Sequence, residues 1–112
     1  MKARRLKLGG TAALAVLAAA LIAATALASP RATSNVSAGD NFFDPEKVKI
    51  GEGDKVVWTN DGEVDHTVKF KGEKNKVFAP GETTSKKFKK ADTYPYHCTI
   101  HSGMDGKVVV KG

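Results

Sequence analysis

The sequence predicts an all-β fold, a Greek-key β-sandwich of about seven or eight strands. From Asn41 onward the apolar runs are short and alternate with polar residues. Gly, Pro, Asn and Asp separate them at close intervals, and no helical period is sustained over three turns.

The elements follow in order. Phe42-Phe43 runs into an Asp44-Pro45 turn, after which Val48 and Ile50 alternate with Lys47 and Lys49. Gly51-Glu52-Gly53-Asp54 turns the chain into a strand from Lys55 to Asn60, and Asn60-Asp61-Gly62 turns it again toward His66. There His66, Val68 and Phe70 alternate with Thr67, Lys69 and Lys71, which places the histidine on the apolar, inward face. Val77-Phe78, a run from Thr83 to Phe88, a strand entering Cys98 and a last strand from Lys107 to Lys111 complete the set. Trp58, Phe70, Phe78, Phe88, Tyr94 and Tyr96 are expected in the core, and Tyr94 is placed to make the corner hydrogen bond that sandwiches use at a strand turn. Lys86, Lys87, Lys89 and Lys90 read as a solvated face that discourages edge pairing.

The N-terminus has a different composition. Lys2, Arg4, Arg5 and Lys7 precede an uncharged apolar run from Leu8 to Leu27, and Ala26-Leu27-Ala28 supplies a small-x-small processing site. Residues 1–28 are therefore expected to be a signal peptide, residues 29–40 a flexible linker and residues 41–112 the folded domain. The rival reading of the leader is an uncleaved anchor. Export implies a periplasmic or secreted protein. The whole chain carries 18 Lys+Arg against 12 Asp+Glu, but four of the cations lie in the leader, and the remaining 14 against 12 leave a net charge of only +2. That excess is too small to argue for a nucleic-acid partner.

The chemistry is concentrated in Tyr94-Pro95-Tyr96-His97-Cys98-Thr99-Ile100-His101-Ser102-Gly103-Met104. The single cysteine, a histidine three residues on and a methionine three beyond that place three metal-ligand side chains in one loop of seven residues. Thiolate and thioether are soft donors and imidazole is intermediate, a mixture that suits copper moving between Cu(I) and Cu(II). Zinc would rarely recruit Met104, and His66 is the best fourth donor. Strand alternation sends His97 to the face opposite Cys98, so it is expected to be exposed and not a ligand.

The loop, with Trp58-Thr59-Asn60 and His66, resembles the cupredoxins, and within them the amicyanin and plastocyanin branch. The Cys-x-x-His-x-x-Met spacing is similar to amicyanin's short loop, and the likeness runs from about Phe42 to Val110. It implies a type 1 copper site in which His66 and His101 bind through ring nitrogens, Cys98 through its thiolate and Met104 as a long axial ligand. It also implies a small electron carrier, not an enzyme, that passes one electron through the exposed edge of His101. Ile100, Gly103 and Met104, with Val64 more weakly, would form the apolar surround. The implied partners are redox proteins: a donor such as a dehydrogenase or membrane complex, and an acceptor such as a c-type cytochrome or oxidase. The protein itself is expected to be a monomer. Short-loop relatives can also protonate this histidine in the reduced state.

Three residues depart from the family pattern. Ile100 stands where proline is frequent and keeps an N–H that can reach the Cys98 sulfur and raise the potential. Thr67 stands where asparagine is common, which puts the tie between its strand and the ligand loop in question. Ser102-Gly103 makes the loop small. Two rival functions remain to weigh. A copper carrier or scavenger would use the same four ligands, but the mature chain holds one methionine and no Met/His cluster. A Cys98/His101 nucleophilic enzyme would need a third orienting group and a cleft.

Overall fold

The computed structural model describes residues 31–112. Within them nine strands form two sheets, and the chain contains no helix there. They are β1 (Thr33–Gly39), β2 (Phe42–Asp44), β3 (Lys47–Gly51), β4 (Lys55–Asn60), β5 (His66–Phe70), β6 (Lys76–Phe78), β7 (Thr83–Lys87), β8 (Asp92–His97) and β9 (Asp105–Lys111). One sheet has the order β2-β1-β4-β7 and the other β3-β9-β8-β5-β6. The pairs β1–β4 and β3–β9 are parallel and the rest antiparallel. A chain that alternates between the two sheets in this way builds the expected sandwich.

One expectation is corrected. Residues 29–40 are not a flexible linker throughout, because Thr33–Gly39 forms strand β1, an inner member of its sheet. Val36 and Ala38 provide the reason: they alternate inward, are 1% and 0% exposed, and lie opposite Trp58 and Asn60 of β4. The entry to β1 is also pinned, since Ala32 N donates to Asp54 Oδ1 at 3.1 Å and Lys55 N to Ala32 O at 3.0 Å. The amide of Gly51, and then that of Ala32, hold the Asp54 carboxyl below its ordinary range. The proposed leader, residues 1–28, lies outside the described residues.

The core is aromatic and continuous. Trp58, 0% exposed, meets Tyr96 and Phe70 edge-to-face with ring centroids 5.3 Å and 5.9 Å apart. Phe43 packs on Tyr96 at 4.9 Å and Phe88 on Phe70 at 5.8 Å. Each such pair adds about 0.5–1.5 kcal/mol beyond the area it buries. Burial pushes the Tyr96 phenol up to about 12, so it stays neutral against Trp58. Its ring covers Gly106 so closely that a Cβ there would lie 2.4 Å from Cζ. Tyr94 is half-buried and its hydroxyl donates to Lys90 O at 2.8 Å, the corner bond the sequence suggests. Lys87, Lys89 and Lys90 are exposed as expected. Lys86 is not simply solvated: it pairs with Glu73 at 2.8 Å and lies over the Phe70 and Phe88 rings at 5.6 Å and 5.4 Å.

The cost of losing β1 packing is measurable. Val36→Ala removes the equivalent of two buried methylene-sized groups, so unfolding free energy should fall by about 2 kcal/mol. Chemical denaturation would read this as a lower midpoint. An unchanged midpoint would mean that residues 33–39 contribute nothing to the folded state.

Candidate metal centre

His66 is the first residue of β5, and the loop that delivers it is organised by a buried asparagine. Asn60, 1% exposed, donates through Nδ2 to Val64 O at 2.8 Å and Phe78 O at 3.0 Å, while its Oδ1 accepts from Gly62 N at 2.9 Å. These bonds fold residues 60–66 over the end of the sheet, and His66 is 0% exposed. Its Nδ1 and Nε2 are both buried without a hydrogen-bond partner. Two orphaned polar atoms on one ring carry a large desolvation cost unless something else engages them.

The second half of the site comes from the loop between β8 and β9. Cys98 N donates to Met104 O at 2.9 Å and Met104 N to His101 O at 3.4 Å, so the loop closes on itself. Gly103 makes the turn possible with a φ of 79°, which favours glycine. Cys98 and Met104 are buried, His101 is half-buried, and His97 is exposed on the opposite face as predicted.

The two halves meet. One ligand atom each from His66, Cys98 and His101 lies within 4.8 Å of the others. Cys98 Sγ is 3.6 Å from His101 Nδ1, and the two imidazole centroids are 5.0 Å apart. Thr67 joins the halves directly. Its N–H donates to Cys98 Sγ at 3.4 Å, and its Oγ1 accepts from Thr99 N at 2.7 Å. The Thr99 hydroxyl is 3.0 Å from that of Thr67 and accepts from Asn75 Nδ2 at 3.1 Å. The tie that the threonine put in question is therefore present, made by a hydroxyl.

Burial pushes the Cys98 thiol up, but the amides of Thr67 and Ile100 and the rings of His101 and His66 together bring it from 9.0 down to about 6. Ile100 keeps its amide on the lowering side of this balance, but the hydrogen bond to the sulfur from a backbone amide is that of Thr67. One further expectation is corrected: Met104 is 1% exposed and adds nothing to the apolar surface, whereas Ile100 and Val64 are 52% and 47% exposed.

Three comparisons bear on this geometry. The Cupredoxin-like domain family matches residues 12–110. The chain belongs to the cupredoxin family. Amicyanin-alpha of Methylorubrum extorquens is 38% identical over 106 residues, covering 88% of both chains. Chloroplast plastocyanin of Tetradesmus obliquus is 32% identical over 109 residues, covering 80% of this cupredoxin and 75% of its relative. The reduced state of an amicyanin mutant superposes with a TM-score of 0.67 at 31% identity, over 70% of this chain and 82% of that one.

The sequence points to the cluster but not to everything that shapes it. Asn60 stands at a strand end and in the family resemblance, yet its buried role depends on carbonyls of Val64 and Phe78 that only the fold brings near. Asp40 fell in the presumed linker, yet its Oδ1 lies 3.5 Å from His66 Nε2. The inward Val36/Ala38 alternation was the available signal that this segment is a strand.

The lowered thiol sets a pH dependence. In the unfolded chain the thiol titrates at about 8.5, above its folded value. Ionisation therefore contributes stability that is fully present above the unfolded pKa and is lost as pH falls through about 6. The metal-free protein should show thiolate absorbance half-formed near pH 6, and its unfolding midpoint should decline between pH 8.5 and 5.5 relative to Cys98→Ala. A thiolate titration centred above pH 8 would contradict this.

Proposed function

We propose that this cupredoxin is a blue-copper electron carrier that binds one copper ion through His66, Cys98, His101 and Met104. The observation that carries the reading is the buried triad: two imidazoles and a thiol held below its ordinary pKa, with both His66 nitrogens unpartnered. A cation at this point would neutralise the thiolate and engage an orphaned nitrogen, so the donor set fits copper. When bound, copper supplies a one-electron Cu(I)/Cu(II) couple.

The chain's own residues do the rest. His66 and Cys98 hold their donor atoms away from water, and Thr67 fixes the sulfur through its amide. The amide bond to the sulfur from Thr67 favours the reduced, electron-rich state. His101 is the least buried of the set, and beside it Ile100 offers exposed apolar surface where a redox protein can dock. Four donors leave no position for a substrate, unlike catalytic sites, so a transferred electron is the product rather than a chemical conversion. Residues 1–28 serve as an export signal, with the carrier working in the periplasm or outside the cell, between a donor such as a dehydrogenase and an acceptor such as a c-type cytochrome.

One equivalent of Cu(II) added to the purified domain should produce an intense visible band that ascorbate bleaches and reoxidation restores. Cys98→Ser should abolish the band. A colourless protein with Cys98 freely alkylated in the presence of copper would contradict the reading.

A further inference from the structure

We propose that Asp40 is a positioning residue for the metal centre: its carboxylate takes the Nε2–H of His66, fixing the ring and lowering the potential of the site. The inference rests on the copper reading above and adds a residue to it.

A ligand imidazole carries its proton on the nitrogen that does not bind metal, and that N–H is almost always given to a carboxylate, carbonyl or water. Nε2 of His66 is buried with no hydrogen-bond partner, and Asp40 Oδ1 lies 3.5 Å from it. The separation is an ion-pair distance, a few tenths of an ångström outside a formed N–H···O bond of about 2.7–3.2 Å. A small rotation of the ring or the carboxylate closes it. With Nε2 facing Asp40, Nδ1 is the nitrogen left for the metal.

Three segments converge to put the carboxylate there. Asp40 and Asn41 form the two-residue turn between β1 and β2, in which Asn41 has a φ of 74°. Glu63 N donates to Asp40 Oδ1 at 3.0 Å, which orients the carboxylate from the other side. Gly62 leaves the necessary space: a Cβ there would lie 2.2 Å from Asp40 Oδ1 and 3.0 Å from His66 Nε2. The β1 strand, tied to β4 from Thr33 to Ala38, carries the turn into place.

The chemical consequence has a definite sign. A carboxylate accepting from Nε2–H makes the imidazole a stronger donor, which stabilises Cu(II) more than Cu(I) and lowers the reduction potential. This acts against the Thr67 amide bond to the sulfur, which raises it. The carboxylate is 46% exposed, so solvent moderates the effect.

A simpler role is available to Asp40, that of capping the loop through Glu63 N, and the test must separate the two. Midpoint potentials of the copper-loaded protein would be measured by optical redox titration for wild type, Asp40→Ala, Asp40→Asn and Gly62→Ala, with thermal unfolding of each metal-free form. Asp40→Ala should lose about tenfold in Cu(II) affinity relative to Cu(I), and a tenfold change is a midpoint rise of 59 mV for one electron. Asp40→Asn keeps an acceptor but loses the charge, so it should shift in the same direction by less. Gly62→Ala should shift with Asp40→Ala by displacing the carboxylate. Lowered thermal stability with midpoints unchanged in Asp40→Ala and Asp40→Asn would overturn the proposal and leave only the cap. Should Asp40→Ala fail to fold, Asp40→Asn decides the matter alone. A wild-type protein with no blue band would instead count against the copper reading itself.

Discussion

The site depends on one residue that grips the ligand loop with both its backbone and its side chain. Thr67 gives its N–H to Cys98 Sγ and receives the Thr99 N–H on its hydroxyl. The side chains it joins are far apart in sequence, since His66 opens β5 whereas Cys98, His101 and Met104 follow β8. Without a bond between these segments, His66 and Cys98 would be carried by separate elements with only packing to set their separation. With it, the sulfur receives charge-stabilising hydrogen bonds and the loop is held to the same strand that carries the histidine. This is preorganisation in a strict sense, because the ordering cost is met by folding and not by metal binding.

The sandwich supplies the rigidity behind that grip. Trp58, Tyr96 and Phe70 fill the space between the sheets, and Tyr96 lies two residues before Cys98 on β8, so the core and the sulfur share one short segment. The opposing features of the centre are also arranged by the fold. Burial alone would keep the thiol protonated, yet the converging amides and imidazoles reverse that preference. The ring of His66 is sealed from water, whereas His101 stays at the surface. The two imidazoles of the cluster thus differ in their access to solvent.

Much of this was legible in the sequence, and the part that was not has a physical explanation. Period-two alternation marked eight of the nine strands, and soft donors at three-residue spacing marked Cys98, His101 and Met104 because one tight loop must bring them together. His66 was readable from its inward phase on an alternating strand. The strand Thr33–Gly39 was not, because Thr, Ser, Asn and Gly surround its two inward residues and small polar composition resembles a linker. Its partner is β4 in a parallel pairing, a non-local contact that leaves no hairpin signature. The same omission hid Asp40. Asparagine was the expected tie at position 67, but the requirement is only an amide and an acceptor at that place, and threonine provides both. Met104 is expected at the surface but is buried, because sequence spacing gives a residue's position in the loop without its depth.

The most direct measurement of the central claim is amide hydrogen exchange across Cys98–Met104 in the metal-free protein, compared between wild type and Thr67→Val. Valine keeps the volume and the N–H but removes the acceptor for Thr99, a loss of about 1–3 kcal/mol for the group left unpaired. The Thr99 amide, and with it the Cys98 amide that closes the loop on Met104, should exchange about tenfold faster or more in the variant while the β9 amides are unaffected. Equal protection of the loop in both proteins would show that packing alone holds the ligands in place and that the Thr67 grip is incidental.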